Sequence, residues 1–115
     1  KKIEAVSYDE KFLADITRII EDHIADSELN VNALCELSGI GNKQVYRKVK
    51  QLTGLSPVEY IKNIRMKKAC TLLKNGNMTA ENIAASIGYP NVEHFSRTFK
   101  KKYHMTPIQY RESKN

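Results

Sequence analysis

Cysteine is scarce in this sequence of 115 residues: only Cys35 and Cys70 occur, 35 positions apart, with no C-x-x-C and no histidine at metal-ligand spacing. Neither a zinc site nor a disulfide scaffold is indicated, and both thiols read as buried groups of a reducing compartment. Long apolar runs are missing too. Nothing approaches the roughly 18 to 20 residues of a membrane span, and the N-terminus has no signal-peptide apolar core. Sustained period-two alternation, the mark of half-buried strands, occurs nowhere, so an all-α fold is expected. There is no G-x-S-x-G, P-loop, H-E-x-x-H or paired-carboxylate constellation, and His23, His94 and His104 stand without triad partners. No catalytic residue, metal or cofactor is therefore expected, and the location is expected to be cytoplasmic. Lys1 in place of a starting Met points to a domain cut from a longer chain.

What is present is charge. Nineteen Lys and Arg against 13 Asp and Glu leave a net of +6, in a chain that is 41% apolar and 28% charged, as in a folded globular domain. The charge is uneven: residues 1 to 41 hold four basic and nine acidic side chains, a net of −5, whereas residues 42 to 115 hold 15 and four, a net of +11. Such a basic body attracts polyanions, nucleic acid first and acidic membrane second.

Helical periodicity runs through the chain. Phe12, Leu13, Ile16, Ile19, Ile20 and Ile24 mark an amphipathic helix over residues 9 to 26 with an acidic outer face. Asn30 is placed to cap a short helix, residues 31 to 38, with Leu34 and Leu37 inward and Gly39 as its stop. Asn42 is expected to cap the next helix, apolar at Val45, Val49 and Leu52 and basic at Lys43, Arg47, Lys48 and Lys50, which Gly54 ends. Ser56-Pro57-Val58-Glu59 is a capping box opening a long helix to about Lys74. Thr79 caps a short helix that stops at Gly88, and after a Pro90-Asn91 turn a helix carries Phe95, Phe99 and Tyr103 on one face and Arg97, Lys100, Lys101 and Lys102 on the others. Thr106-Pro107-Ile108-Gln109 repeats the capping box before a last helix around Tyr110.

The chain repeats itself. At an offset of 49, Leu34, Cys35, Gly39 and Ile40 fall on Ile83, Ala84, Gly88 and Tyr89. At an offset of 50, Val45, Arg47, Val49, Lys50, Ser56-Pro57 and Tyr60 fall on Phe95, Arg97, Phe99, Lys100, Thr106-Pro107 and Tyr110. Each copy is a short helix, a glycine turn and a second helix with a basic side, the layout of a helix-turn-helix whose second helix enters the DNA major groove. Packing alone does not demand an Arg and a Lys twice at the same helical phase. Cys35 opposite Ala84 reads as a small packing residue.

These residues resemble the DNA-binding domain of the AraC/XylS family of bacterial transcription regulators. The second copy carries Ile83-Ala84, Ile87-Gly88-Tyr89, Phe95-Ser96-Arg97-Thr98-Phe99-Lys100-Lys101 and Thr106-Pro107 with Tyr110; the first carries Leu34-Cys35, Val45-Tyr46-Arg47-Lys48-Val49-Lys50 and Leu52-Thr53-Gly54-Leu55-Ser56-Pro57 with Tyr60. The first copy, with Ile64-Arg65-Met66-Lys67-Lys68-Ala69, is similar to the version at the C-terminus of hybrid two-component sensors of Bacteroides-type bacteria. The resemblance spans residues 9 to 112. It implies about seven helices: two helix-turn-helix subdomains, 9 to 55 and 76 to 115, joined by a linker helix, 56 to 75, behind a tail at 1 to 8. As partners it implies double-stranded DNA, RNA polymerase and covalently attached signalling domains, among them a histidine kinase in a parent anchored in the inner membrane. The domain itself is expected at the nucleoid, without membrane contact. Two departures stand out: Ser38 takes the slot of Ile87, and His104 takes that of Gly54, a positive-φ turn that histidine tolerates at some cost.

A linker of that length spans some 27 Å and would act as a rod, letting the two recognition helices enter successive major grooves about 34 Å apart. The expected base contacts are Lys43, Gln44, Tyr46 and Arg47 in the first helix and Val92, Glu93, His94, Ser96 and Arg97 in the second. Arg and Lys suit guanine, Gln suits adenine, Glu accepts from cytosine N4, and Val or Tyr meets a thymine methyl. Expected phosphate contacts are Asn42, Lys50, Arg65, Lys67, Asn91, Lys100 and Lys101, with the backbone N–H groups of the helices beginning near Val31, Thr79 and Pro107. The alternative is a helical protein-interaction module that docks through its acidic first helix and reads no sequence.

Overall fold

The computed structural model describes residues 2 to 113, with side chains from Tyr8 onward. Among the described residues there are seven helices and no strand: α1 (Lys2–Asp22), α2 (Val31–Ser38), α3 (Asn42–Thr53), α4 (Pro57–Asn75), α5 (Ala80–Ser86), α6 (Val92–Tyr103) and α7 (Pro107–Ser113). The all-α expectation holds. Helix α1 starts at Lys2, taking in residues the sequence assigned to a tail, and it ends at Asp22 rather than Asp26. Residues 2 to 8 contain neither proline nor glycine, so nothing in them stops a helix from extending N-terminally.

The chain forms two compact units: residues up to His23 with Glu28–Asn63, and Ile24–Ser27 with the residues from Ile64 onward. The division falls inside α4, so the expected linker gives its first turns to one unit and the rest to the other. Ile24–Ser27 goes to the second unit although it follows α1 in the chain.

In the first unit α1 packs against α2 and α3, and α2 against α3. Phe12, Ile16 and Ile20, at helical spacing on α1, are buried with Val31, Leu34, Cys35, Val45, Val49 and Ile61. Burial raises the Cys35 thiol pKa by desolvation, in keeping with a packed, unreactive group. Leu37 corrects an expectation: it is 50% exposed. The helix is short and turns only one narrow stripe inward, and the repeat register already pairs Leu37 with the polar Ser86. Ser38, by contrast, is half-buried and takes over the turn: its hydroxyl donates to the Cys35 carbonyl at 3.1 Å and accepts from Ile40 N at 3.2 Å. In the second unit the aliphatic Ile87 at that position is wholly buried.

The second core gathers Met66, Ala69, Leu73, Ile83, Ala84, Ile87, Tyr89, Phe95 and Phe99. Its rings run in series: Phe95 to Phe99 at 5.9 Å, Phe99 to Tyr103 at 4.7 Å and Phe99 to Tyr110 at 5.5 Å between centroids. Arg111 fastens α7 to this unit by donating to the carbonyls of Leu73 at 3.0 Å and Met78 at 2.7 Å. Both capping boxes form. Glu59 N donates to Ser56 Oγ at 3.3 Å and Ser56 N to Glu59 Oε1 at 3.4 Å; the Thr106 and Gln109 pair closes at 3.1 and 2.9 Å. The stops match as well, with Gly54 at φ 79° and His104 at φ 65° in the same left-handed conformation.

Candidate nucleic-acid interface

Helices α3 and α6 are each held from behind by two apolar side chains one turn apart. Val45 and Val49 on α3, and Phe95 and Phe99 on α6, are all wholly buried. A helix pinned at i and i+4 presents the opposite side to solvent. On α3 that side is Asn42, Lys43, Tyr46, Arg47, Lys50 and Gln51, which together line one shallow open concavity. Their spacing, i, i+1, i+4, i+5, i+8 and i+9, is one continuous stripe.

The repeat offset carries this stripe onto α6 as Val92, Glu93, Ser96, Arg97, Lys100 and Lys101. Glu93, Arg97, Lys100 and Lys101 are exposed there, while Val92 and Ser96 are half-buried. Among the described residues, no ion pair engages Lys43, Arg47, Lys50, Arg97, Lys100 or Lys101. Their charges point to solvent and are available to a polyanion. The two stripes differ at one register position, Lys43 on α3 against Glu93 on α6.

Several expected contacts find other places. Asn42 is exposed on the stripe but does not cap α3: Gly41 is the N-cap, at φ −66° and ψ 155°, with no side-chain hydrogen bond. Asn91 does cap its helix, its side-chain oxygen accepting from His94 N at 3.0 Å. Gln44 is half-buried and off the stripe. His94 is exposed, and its ring stands edge-on to Tyr89 at 5.2 Å. Lys67 is exposed on α4 rather than on a recognition helix. The N-termini of α2 and α5 already have one N–H each occupied, by Asn30 and Thr79.

Arg65, on α4, is half-buried. Its Nη2 donates to the Asp26 carbonyl at 2.8 Å, and its Nε is buried without an acceptor among the described residues. Desolvation lowers its pKa, opposed by the nearby Tyr89 and Asp26. Beside it Gly88 turns at φ 88°, so close that a Cβ there would lie 2.5 Å from the Ile24 carbonyl oxygen and 2.9 Å from Arg65 Nη2. The guanidinium therefore ties Ile24–Ser27 to the turn between α5 and α6. Its cationic type placed it among the expected phosphate contacts; in the structure it is half-buried, with one guanidinium nitrogen on the Asp26 carbonyl. Gln51 is the stripe residue that residue-by-residue reasoning passed over, and its repeat partner Lys101 was the signal that marks it.

Residues 34 to 113 match the family model described as "Helix-turn-helix domain". The chain is 32% identical over 109 residues to "Histidine kinase P4" of Formosa agariphila, covering 95% of this chain and 8% of that protein. It is 32% identical over 96 residues to the "HTH-type transcriptional activator RhaS" of Escherichia coli (strain SE11), covering 84% of this chain and 34% of that one. The crystal structure of the C-terminal domain of the two-component response regulator yesN from Fusobacterium nucleatum superposes with a TM-score of 0.79 at 31% identity, covering 88% of this chain and 98% of that domain. The chain thus spans about a third or less of the two full-length relatives.

Proposed function

The chain belongs to the AraC-type family of helix-turn-helix DNA-binding domains, and we propose that it binds double-stranded DNA sequence-specifically to regulate transcription, with α3 and α6 as its two reading heads. The observation that carries this is the recurrence of solvent-exposed Arg and Lys at matching phase on two helices each pinned from behind by buried apolar side chains.

Lys43, Tyr46 and Arg47 read bases from α3, and Val92, Glu93, Ser96 and Arg97 from α6; Asn42, Lys50, Gln51, Asn91, Lys100 and Lys101 hold phosphates. The heads enter successive major grooves of one duplex face, so a single chain reads two neighbouring segments without dimer symmetry. The lone carboxylate on the α6 stripe sharpens the second segment. Near phosphates Glu93 is favourable only where a donor such as cytosine N4 meets it. In a longer protein with attached signalling domains the domain is the output end, and contact with RNA polymerase follows if it activates. Selection of bound duplexes from a random library tests the reading directly: enrichment of a bipartite motif with segments about one helical turn apart is expected. Recovery of no motif would favour a protein-interaction module instead.

A further inference from the structure

Lys48 stands between the stripe cations Arg47 and Lys50 in sequence, yet it does not join them. Its side chain is only 14% exposed, and its ammonium pairs with the Asp9 carboxylate of α1, 39 residues away in sequence. The same nitrogen lies 5.3 Å from the centre of the Tyr8 ring, within range of a cation–π attraction. Reaching a phosphate would strip it of both partners.

The second unit has a half-buried polar residue at the same register. Thr98, the repeat partner of Lys48, is likewise half-buried. On both helices, then, the residue after the stripe arginine sits about 100° round the helix from it and is half-buried.

We propose that Lys48 is a positioning residue that sets the pitch of α3 through Asp9 and Tyr8 of α1, and that α1 thereby governs how well the first head reads DNA. The inference rests on the DNA-binding reading above. Its consequence runs against simple electrostatics: an acidic side chain, Asp9, supports binding to a polyanion. A cation on the back of the recognition helix adds nothing to the counterions displaced from DNA.

The test uses the full chain, a duplex selected by the wild type and a random duplex, with Asp9→Asn, Lys48→Gln, Lys48→Arg and the charge swap Asp9→Lys/Lys48→Glu, each checked for folding by circular dichroism. Asp9→Asn and Lys48→Gln are expected to weaken the selected duplex about three- to tenfold. The slope of log affinity against log salt should stay unchanged, Lys48→Arg should stay near wild type, and the swap should recover most of the loss. Lys48→Gln lowering the salt slope by about 0.9 with equal loss on both duplexes would make Lys48 a phosphate ligand and overturn the proposal. Tighter binding by Asp9→Asn, or no effect of either single change, would overturn it as well. A wild type that selects no duplex would instead remove the DNA-binding reading itself.

Discussion

Arg97 is an exposed side chain on a helix whose stability comes from Phe95 and Phe99 behind it. Arg97→Ala is therefore expected to leave unfolding within about 0.5 kcal/mol of wild type. On a selected duplex it is expected to cost about 1 to 3 kcal/mol and to relax preference at one position. Titrations on selected and random duplexes check this, since equal loss on both would reduce Arg97 to a phosphate contact. Two glycines make the opposite comparison, in which binding is secondary and stability is the readout. Gly54 and Gly88 both turn at positive φ, but a Cβ at Gly54 meets nothing within 4 Å, whereas one at Gly88 meets the Ile24 carbonyl and Arg65. Gly54→Ala is expected to cost about 1 to 2 kcal/mol from backbone conformation alone. Gly88→Ala should cost more, on the order of 3 to 4 kcal/mol, because the turn must also move away from Ile24–Ser27. Urea midpoints of the two variants should separate clearly.

At the scale of the helix, capping and packing divide the work. The Thr106 and Gln109 box is the tighter of the two, at 3.1 and 2.9 Å against 3.3 and 3.4 Å for Ser56 and Glu59. Each cap to Ala is expected to cost about 0.5 to 2 kcal/mol, with Thr106→Ala the larger, and thermal melts of the two variants rank them. These boxes were plain in the sequence because a cap is a local device, with donor and acceptor three residues apart. So were Gly39 and His104 as helix stops. The inward side of α2 was less plain. An eight-residue helix has too few turns for its periodicity to separate Leu34 from Leu37, and only packing shows that Leu34 is the buried one. Helix α1 was legible in its buried stripe and not in its start, since charged residues such as Glu4 and Lys2 suit a helix and a tail alike.

For the whole molecule, the net of +6 understates what DNA meets. The cations Lys48, Arg65 and Arg111 are engaged with Asp9, Asp26 and the carbonyls of Leu73 and Met78, while the stripe cations of α3 and α6 stay open to solvent. Affinity should therefore fall steeply with salt, by about three to five decades between 50 and 200 mM if some six to ten phosphates are engaged. A flat titration would exclude this account. The sequence by itself determined the all-helical class, the duplication and the two capping boxes, because each depends on spacing along a helix or on an offset along the chain. Only the tertiary structure decided which cations face outward. A lysine or arginine has the same charge wherever it stands, and its destination depends on what lies within a few ångströms: Asp9 and Tyr8 for Lys48, the Asp26 carbonyl and the Gly88 turn for Arg65, and solvent for Arg47 and Arg97.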